Sequence, residues 1–260
     1  MTERLDKFLS TQTMLSRSEI KKHLAHGKGT VNGKVVWGGN RKIDPEKDEI
    51  TIFGKTIEYR NDIYIILNKP EGIVCATKDP RDKTVTDILP QELQRKDIFP
   101  AGRLDKDSLG MVFITNDGTL SHKILSPTKH IPKYYLVKLA KPFKNEYVDT
   151  FNKGMEIDGG EKCLPAHVRQ ADTLENTAFV ELLEGKFHQV KRMFSAVENH
   201  VEKLVRIQMG SLAMPAELGI GEHMELLHKD VENLVKITPF DEVFEKRRPF
   251  FPSYLINNSL

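Results

Sequence analysis

Cysteines and long apolar runs are the scarcest features of this 260-residue sequence. Only Cys75 and Cys163 occur, and one pair so far apart is no disulfide framework, which favours a reducing compartment. No apolar run approaches the ~18 residues of a membrane helix. Residues 1–6 begin amphipathically, without the apolar region of a signal peptide. We therefore expect a cytoplasmic protein that makes no contact with membranes.

The sequence also lacks the residue spacings of metal and nucleotide-cofactor sites. Its histidines show no HxH or HExxH spacing, so we expect no metal site and assign them structural roles. Gly38-Gly39 and Gly159-Gly160 lack the Lys-Ser/Thr pair and the strand-to-helix context of phosphate loops, which predicts turns instead. No cofactor is therefore expected. The histidines so interpreted are His122, His130, His188, His200, His223 and His228.

Charge is nearly balanced over the whole chain but not along it. The formal net charge is +2, yet Lys and Arg outnumber Asp and Glu by nine to three across residues 1–42. The remaining residues therefore carry about four net negative charges. This asymmetry predicts a basic N-terminal module that faces a polyanion, with a merely solvated surface as the alternative.

The first segment has the pattern of two helices followed by a hairpin. Leu5, Phe8 and Leu9 share one helical face, and Ser16 and Glu19 have the spacing of a capping box at the start of a second helix. On that helix Ile20 and Leu24 point inward and the basic residues stay outside, and Gly27 or Gly29 can end it. Asn32-Gly33 between β-branched residues predicts a type I′ hairpin turn.

Strand-like segments dominate the rest of the chain, without regular alternation with helices. This favours an α+β fold, in which a small α/β N-terminal domain precedes a mixed, mostly antiparallel sheet with flanking helices, over a doubly wound fold. The domains are predicted at 1–58 and 62–238, with a linker near 55–62. A tail follows at 239–260, whose aromatics favour packing on the core over RNA contact or disorder. Strands are predicted at 50–53, 63–67, 110–115, 134–141, 177–183 and 205–209, and helices at 85–88, 119–125, 144–153 and 188–197.

The most informative string is GRLDKDSLG at 102–110, which leads into a strand and the turn TNDG at 115–118. It places Asp105 in a Gly-bounded loop before a strand, where a side chain can face a cleft. Taken alone, Asp105 could equally be a cap or turn residue, because Asp107 and Ser108 have the same local uses. Three further strings accompany it: NKPEG at 68–72, KYYLV at 133–137 and EGKFHQVKRMF at 184–194.

Together these strings resemble the motifs of the pseudouridine synthases, and residues 1–54 resemble the S4 RNA-binding domain. S4 domains imply binding to structured RNA and nothing about chemistry. The combination looks most like the ribosomal small-subunit pseudouridine synthase A branch, which acts on 16S rRNA. The resemblance implies that the chain isomerises a uridine of rRNA or of a small-subunit precursor particle without cofactor or metal. A monomer is the default expectation.

The resemblance also implies the site residues. Asp105 is the catalytic carboxylate, Tyr135 the active-site tyrosine, and Lys191 the basic residue that pairs with Asp105. Many relatives have arginine at that position, and lysine offers a point charge in place of a bidentate fork, so we expect a looser pair, with Arg192 as the alternative partner. The predicted contacts to substrate RNA are Arg103, Lys69 and Arg192 near the site and Arg4, Lys7, Arg17, Lys21 and Lys22 on the S4 domain.

Three alternatives remain open from the sequence. The target could lie in 23S rRNA. The chain could be a non-catalytic assembly factor that retains the fold, although such a protein would be expected to have lost Asp105, Tyr135 or the basic pair at 191–192. Asp105 could also serve a glycosidic hydrolase, but hydrolysis normally uses a second acid at a defined separation, and Asp107 is poorly specified for that role.

Overall fold

The chain folds into two compact units in the computed structural model, which describes residues 2–171 and 176–256. Unit 1 comprises Met1–Ile63 and Leu89–Phe99, and unit 2 comprises Tyr64–Ile88 and Pro100–Leu260. The segment Leu89–Phe99 therefore belongs with the N-terminal residues although it lies far along the sequence. Within unit 1, Arg95 Nη1 donates hydrogen bonds to the Arg60 carbonyl at 2.7 Å and to Gln12 Oε1 at 3.0 Å.

Unit 1 contains the two predicted helices, α1 at Leu5–Gln12 and α2 at Arg17–Ala25. The capping box is confirmed, since Ser16 Oγ accepts from the Glu19 amide and the Ser16 amide donates to Glu19 Oε2 at 2.7 Å. Gly27 follows α2 with a φ of +69°, the left-handed conformation that ends helices. The inward residues of both helices are buried in one core: Leu5, Phe8, Leu9, Ile20 and Leu24.

The strands of unit 1 are short, and two hairpins organise them. Asn32 and Gly33 have φ of +53° and +73°, which confirms the predicted type I′ turn. Phe53 and Gly54 form a second turn with positive φ, so the segment at 55–56 is a strand and the predicted linker there is wrong. The strands are β1 Glu3–Arg4, β2 Gly29–Val31, β3 Lys34–Val35, β4 Lys42–Ile43, β5 Ile50–Ile52 and β6 Lys55–Thr56. The order β3-β2-β5-β6 forms one sheet, and β1 pairs with β4.

Unit 2 is built on one mixed sheet with the strand order β13-β14-β10-β15-β9-β7-β17. All neighbours along this path are antiparallel except β9 and β15, which are parallel, so the predicted fold class is confirmed. The strands from residue 64 onward are β7 Tyr64–Lys69, β8 Phe99–Pro100, β9 Leu109–Thr115, β10 Lys133–Leu139, β11 Glu156–Ile157, β12 Glu161–Lys162, β13 His167–Gln170, β14 Thr177–Leu182, β15 Val201–Met209, β16 Leu212–Ala213 and β17 His223–Glu225.

Helices flank this sheet. They are α3 Gly118–Leu125, α4 Glu146–Asn152, α5 Gln189–Ala196, α6 His228–Val231, α7 Phe240–Arg247 and α8 Phe251–Ile256, with 3-10 turns at Pro127–Lys129, Asp158–Gly160, Glu232–Val235 and Arg248–Phe250. The helix predicted at 85–88 is wrong, because this segment is a turn. Asp87 Oδ2 there accepts from both the amide and the hydroxyl of Thr84 at 2.8 Å, a local bonding pattern that competes with helix formation. No helix in residues 2–171 and 176–256 has the length and apolarity needed to cross a membrane.

The tail packs on the core of unit 2 over residues 240–256, as its aromatics suggested. Phe244, Phe251 and Tyr254 are buried, and the rings of Phe244 and Phe251 lie 5.7 and 5.4 Å from that of Phe179. The Tyr254 hydroxyl donates to the Met214 carbonyl at 2.6 Å. Residues 257–260, which belong to the same predicted tail, lie outside the described part of the chain.

Candidate active site

Asp105 lies in the loop before β9, on the wall of a cleft of about 710 Å³ in unit 2. Its side chain is 25% exposed, so the carboxylate is accessible from the cleft. The strand after the loop begins at a close approach, because Gly110 has a φ of +96° and a Cβ there would lie 2.3 Å from the Arg206 carbonyl oxygen. Glycine is therefore required at the point where β9 and β15 pair, and this fixes the end of the loop.

Two buried cations hold the Asp105 loop from below. Lys69 Nζ donates to the carbonyls of Pro70, Lys106 and Ser108 at 2.9, 3.1 and 2.7 Å. Arg206 Nε donates to the Met111 carbonyl at 2.8 Å, and its Nη1 donates to the Arg103 carbonyl at 3.3 Å. These bonds attach both sides of the loop to the sheet.

Lys69 is a correction to the sequence analysis. Its side chain is fully buried, and burial lowers its pKa to about 8. Its ammonium donates to three backbone carbonyls, two of them in the Asp105 loop, so it positions Asp105 and does not contact RNA. The NKPEG string does not reveal this role, because the burial of the ammonium depends on the loop that folds over it.

A lysine and a histidine approach the Asp105 carboxylate itself. Lys191 Nζ lies 3.6 Å from Asp105 Oδ2, and His188 Nε2 lies 3.5 Å from Oδ1. Ser108 Oγ donates to Oδ2 at 3.5 Å. Lys191 is bound more closely to Asp107, at 2.5 Å. Of its two carboxylate contacts, the one to Asp105 is therefore the longer.

Asp107 also forms an ion pair with Lys191. Burial raises the pKa of Asp107, but the hydrogen bond and the charge of Lys191 outweigh burial and hold that pKa below its usual value. Its side chain is 63% exposed, so Asp107 lies at the outer edge of the site and Asp105 lies deeper.

His188 was missed by the sequence analysis, which assigned it a structural role. It directly precedes α5 with a φ of +51°, and its ring stacks on Phe187 with centroids 3.8 Å apart. Phe187 is 74% exposed and, like His188, lines the cleft. The available signal was their place in the same string as Lys191, three and four residues before it.

Arg192 points away from Asp105. Its Nε donates to Asp158 Oδ1, and its Nη1 donates to Glu161 Oε2 at 2.7 Å. Consecutive helical residues lie about 100° apart around the axis, so Lys191 and Arg192 cannot both face the carboxylate. The predictions of Arg192 as alternative partner and as RNA contact are corrected, because its guanidinium binds two carboxylates of this chain.

Tyr135 lies on β10 and lines the cleft with Asp105. Its neighbour Tyr134 is fully buried, and the Tyr134 hydroxyl donates to the Thr238 carbonyl at 3.0 Å. Alternation along the strand therefore places Tyr135, and not Tyr134, in the cleft. Arg103 is exposed on the same cleft and forms no ion pair within the described residues.

These residues fall inside a segment with a clear family match. Residues 63–196 match the family described as RNA pseudouridylate synthase. This segment is more than half of the chain. The chain belongs to the RNA pseudouridylate synthase family. It is therefore an isomerase that acts on RNA.

Individual relatives extend the match beyond the family segment. An uncharacterized RNA pseudouridine synthase, YtzG, of Bacillus subtilis is 40% identical to this chain, over 89% of this chain and 98% of the relative. The ribosomal small subunit pseudouridine synthase A of Escherichia coli K12 is 35% identical over 89% of this chain and 100% of the relative. The crystal structure of a pseudouridylate synthase has 34% sequence identity to this chain and a TM-score of 0.63, over 89% of this chain and 99% of the chain in that structure.

The basic residues of unit 1 form a face arranged around one buried carboxylate. Arg4 and Arg17 each contact Asp6 at 2.9 Å, and Lys21 lies 3.8 Å from it. The hydrogen bond from Arg4 is the largest cause that lowers the pKa of Asp6 to about 2. We call this set, with Lys22, the Asp6 face. Arg4, Arg17 and Lys21 are about half-exposed and Lys22 is exposed, which leaves these side chains able to contact a polyanion. Lys7 instead pairs with Glu3 at 3.5 Å.

Proposed function

We propose that this synthase isomerises one uridine of 16S rRNA, with Asp105 as the catalytic carboxylate. The observation that carries the proposal is the loop clamped by Lys69 and Arg206, which presents Asp105 to the cleft beside Lys191 and His188. The 16S target is supported by the full-length similarity to a relative named for the ribosomal small subunit. A 23S target is the second candidate.

The reaction breaks the bond between N1 of uracil and C1′ of ribose and rejoins the ring through C5. The ionised Asp105 either attacks C1′ to form an ester or removes the 2′ proton to give a glycal, and both routes return the carboxylate unchanged. Over the whole reaction one proton leaves C5 and one is gained at N1, so no group enters from outside. Both routes use the ionised carboxylate, and the Lys191 ammonium lies 3.6 Å from it.

The other cleft residues have roles that fit an extruded base. Tyr135 stacks on the uracil or removes the proton from C5. Arg103, exposed and without an ion pair in the described part of the chain, contacts a phosphate or fills the space that the extruded nucleotide leaves. Lys191 pairs with Asp105 while the carboxylate is charged. The isomerase family favours this reading over a hydrolase that would release free uracil.

The target is tested by mapping pseudouridine in both ribosomal RNAs. Carbodiimide modification and primer extension would be applied to 16S and 23S rRNA from cells with the gene, without it, and with Asp105→Asn. We expect one 16S stop that disappears without the gene and is not restored by Asp105→Asn. A gene-dependent stop in 23S rRNA would move the target, and identical stops in all three strains would contradict the proposed function.

We further propose that unit 1 acts as the S4 RNA-binding domain and that the Asp6 face contacts rRNA. A monomer in the cytoplasm, holding rRNA or a small-subunit precursor, is the simplest arrangement for this role. The Asp6 carboxylate fixes the positions of Arg4, Arg17 and Lys21 and neutralises part of their charge. The Asp6 face is therefore preorganised for phosphates.

The double variant Arg17→Gln/Lys22→Gln should bind target RNA more weakly and with a flatter salt dependence. Each lost phosphate contact reduces the slope of log K against log salt by about one, so we expect a reduction of about two. The measurement is fluorescence anisotropy with labelled rRNA fragment between 50 and 200 mM salt, a range of about fourfold. Lys47→Gln, in the same unit but outside the face, is the matched control, and equal slopes in all three proteins would refute this role.

A further inference from the structure

Lys133 is a half-buried cation on the cleft wall that has no partner among the described residues. It lies two positions before Tyr135 on β10, so the two side chains share one face of the sheet, and both line the cleft with Asp105. Tyr135 pairs across the sheet with Arg206 in β15. Lys133, Tyr135 and Arg206 therefore occupy one wall.

The charges around Lys133 leave it uncompensated. Arg206 is fully buried, and its Nη2 has no hydrogen-bond partner within the described residues. The negative charge of Glu184 attracts Lys133 from a distance. Glu184 already accepts hydrogen bonds from the Leu164 amide and the Gln189 side chain at 2.9 Å, and it lies 3.3 Å from Lys186. Burial first, and Arg206 second, lower the pKa of Lys133 to about 8.

Lys69 shows what a structural lysine in this unit looks like. It has a similarly lowered pKa, but its three donors are bound to three carbonyls. Lys133 is only partly buried and has no such bonds among the described residues. A partly desolvated cation without an acceptor, beside a second cation, is the arrangement that stabilises a negative charge arriving from a ligand.

We propose that Lys133, in the field of Arg206, stabilises the negative charge on the uracil ring while the ring is detached from the ribose. The inference rests on the proposed role of Asp105. On either route the N1–C1′ electron pair leaves with N1, so the detached ring is an anion whose charge spreads onto its carbonyl oxygens. Lys133 donates a hydrogen bond to one of these oxygens. When C5 bonds to C1′, the charge returns to the Asp105 carboxylate or is neutralised by the 2′ proton, and Lys133 keeps its own proton throughout.

The test is single-turnover conversion of an RNA that carries the mapped target uridine. Lys133→Met should lower the rate by about 100-fold or more, in the range seen when one preorganised donor to a developing anion is lost. Lys133→Arg, which keeps the charge, should retain a rate within about tenfold of wild type. RNA affinity and melting temperature, measured for each variant, should stay close to wild type, because Lys133 has no structural bonds among the described residues.

A pH profile of kcat/KM separates this role from packing. The protonated lysine is the active form, so the wild-type value should fall as the pH rises through about 8. Arginine stays charged there, so Lys133→Arg should remove this fall. A fall that persists in Lys133→Arg would assign it to Lys69 and overturn the inference.

Asp105→Asn run in parallel keeps the two proposals apart. Loss of activity in Asp105→Asn with a rate within about threefold of wild type in Lys133→Met would overturn the role of Lys133 alone. Full activity in Asp105→Asn would overturn the proposed function on which it rests. A loss of rate in Lys133→Met that matches a fall in RNA affinity or melting temperature would also overturn the role of Lys133, since charge stabilisation acts on the chemical step.

Discussion

Asp105→Asn should abolish pseudouridine formation, with a single-turnover rate at least about 10⁴-fold below wild type, the scale of loss when a covalent catalyst is removed. The substitution keeps the size of the side chain and an oxygen for the Ser108 hydroxyl, and it removes only the negative charge. Both routes to a detached base need an ionised carboxylate, so neither can proceed through the amide. The rate would be measured by nucleoside analysis of target RNA after mixing with excess enzyme.

Asp107 supplies the matched control. It lies two residues away, carries the same charge and contacts the same Lys191, but it lies at the exposed edge of the site. Asp107→Asn should therefore lower the rate by less than about tenfold, a loss expected from weaker positioning of Lys191 alone. Equal losses in the two variants would contradict the assignment of Asp105, and unchanged RNA affinity in both would show that the effect lies in the chemical step.

The parts of the fold that depend on local sequence were predictable. The capping box at Ser16 and the turn at Asn32-Gly33 rest on bonds and φ angles within four residues, and both were predicted. The second hairpin was not, because Phe53 takes a positive φ that its residue type disfavours. Pairing of β5 with β6 imposes that conformation, and no local signal announces it.

The site shows the same division between local and distant causes. The resemblance to the synthase motifs led to Asp105, Tyr135 and Lys191. The structure places Asp105 and Tyr135 on one cleft and Lys191 Nζ 3.6 Å from Asp105. The burial of Lys69 depends on the loop around Lys106, far along the chain. The contact of His188 with Asp105 requires α5 to lie against that same loop. Such contacts follow from tertiary packing, which spacing along the sequence does not report.

Lys191 and Arg192 are adjacent cations, and the fold gives them different partners. The carboxylates nearest Lys191 are those of Asp105 and Asp107, whereas Arg192 binds Asp158 and Glu161. Of these residues, Asp105 lines the cleft. The ion pairs of Arg192 connect α5 to the segment around the 3-10 turn at Asp158–Gly160, and both of the carboxylates are exposed.

Lys191→Met should therefore lower the single-turnover rate by about 100-fold, since Asp105 loses the neighbouring cation that holds the carboxylate in position. Arg192→Met should leave the rate within about threefold of wild type and lower the melting temperature by no more than about 5 °C, because exposed ion pairs contribute little to stability. The pair of variants is compared by rate and by thermal unfolding. A larger rate loss in Arg192→Met than in Lys191→Met would mean that the loop and α5 rearrange when RNA binds, so that Arg192 replaces Lys191 beside the carboxylate.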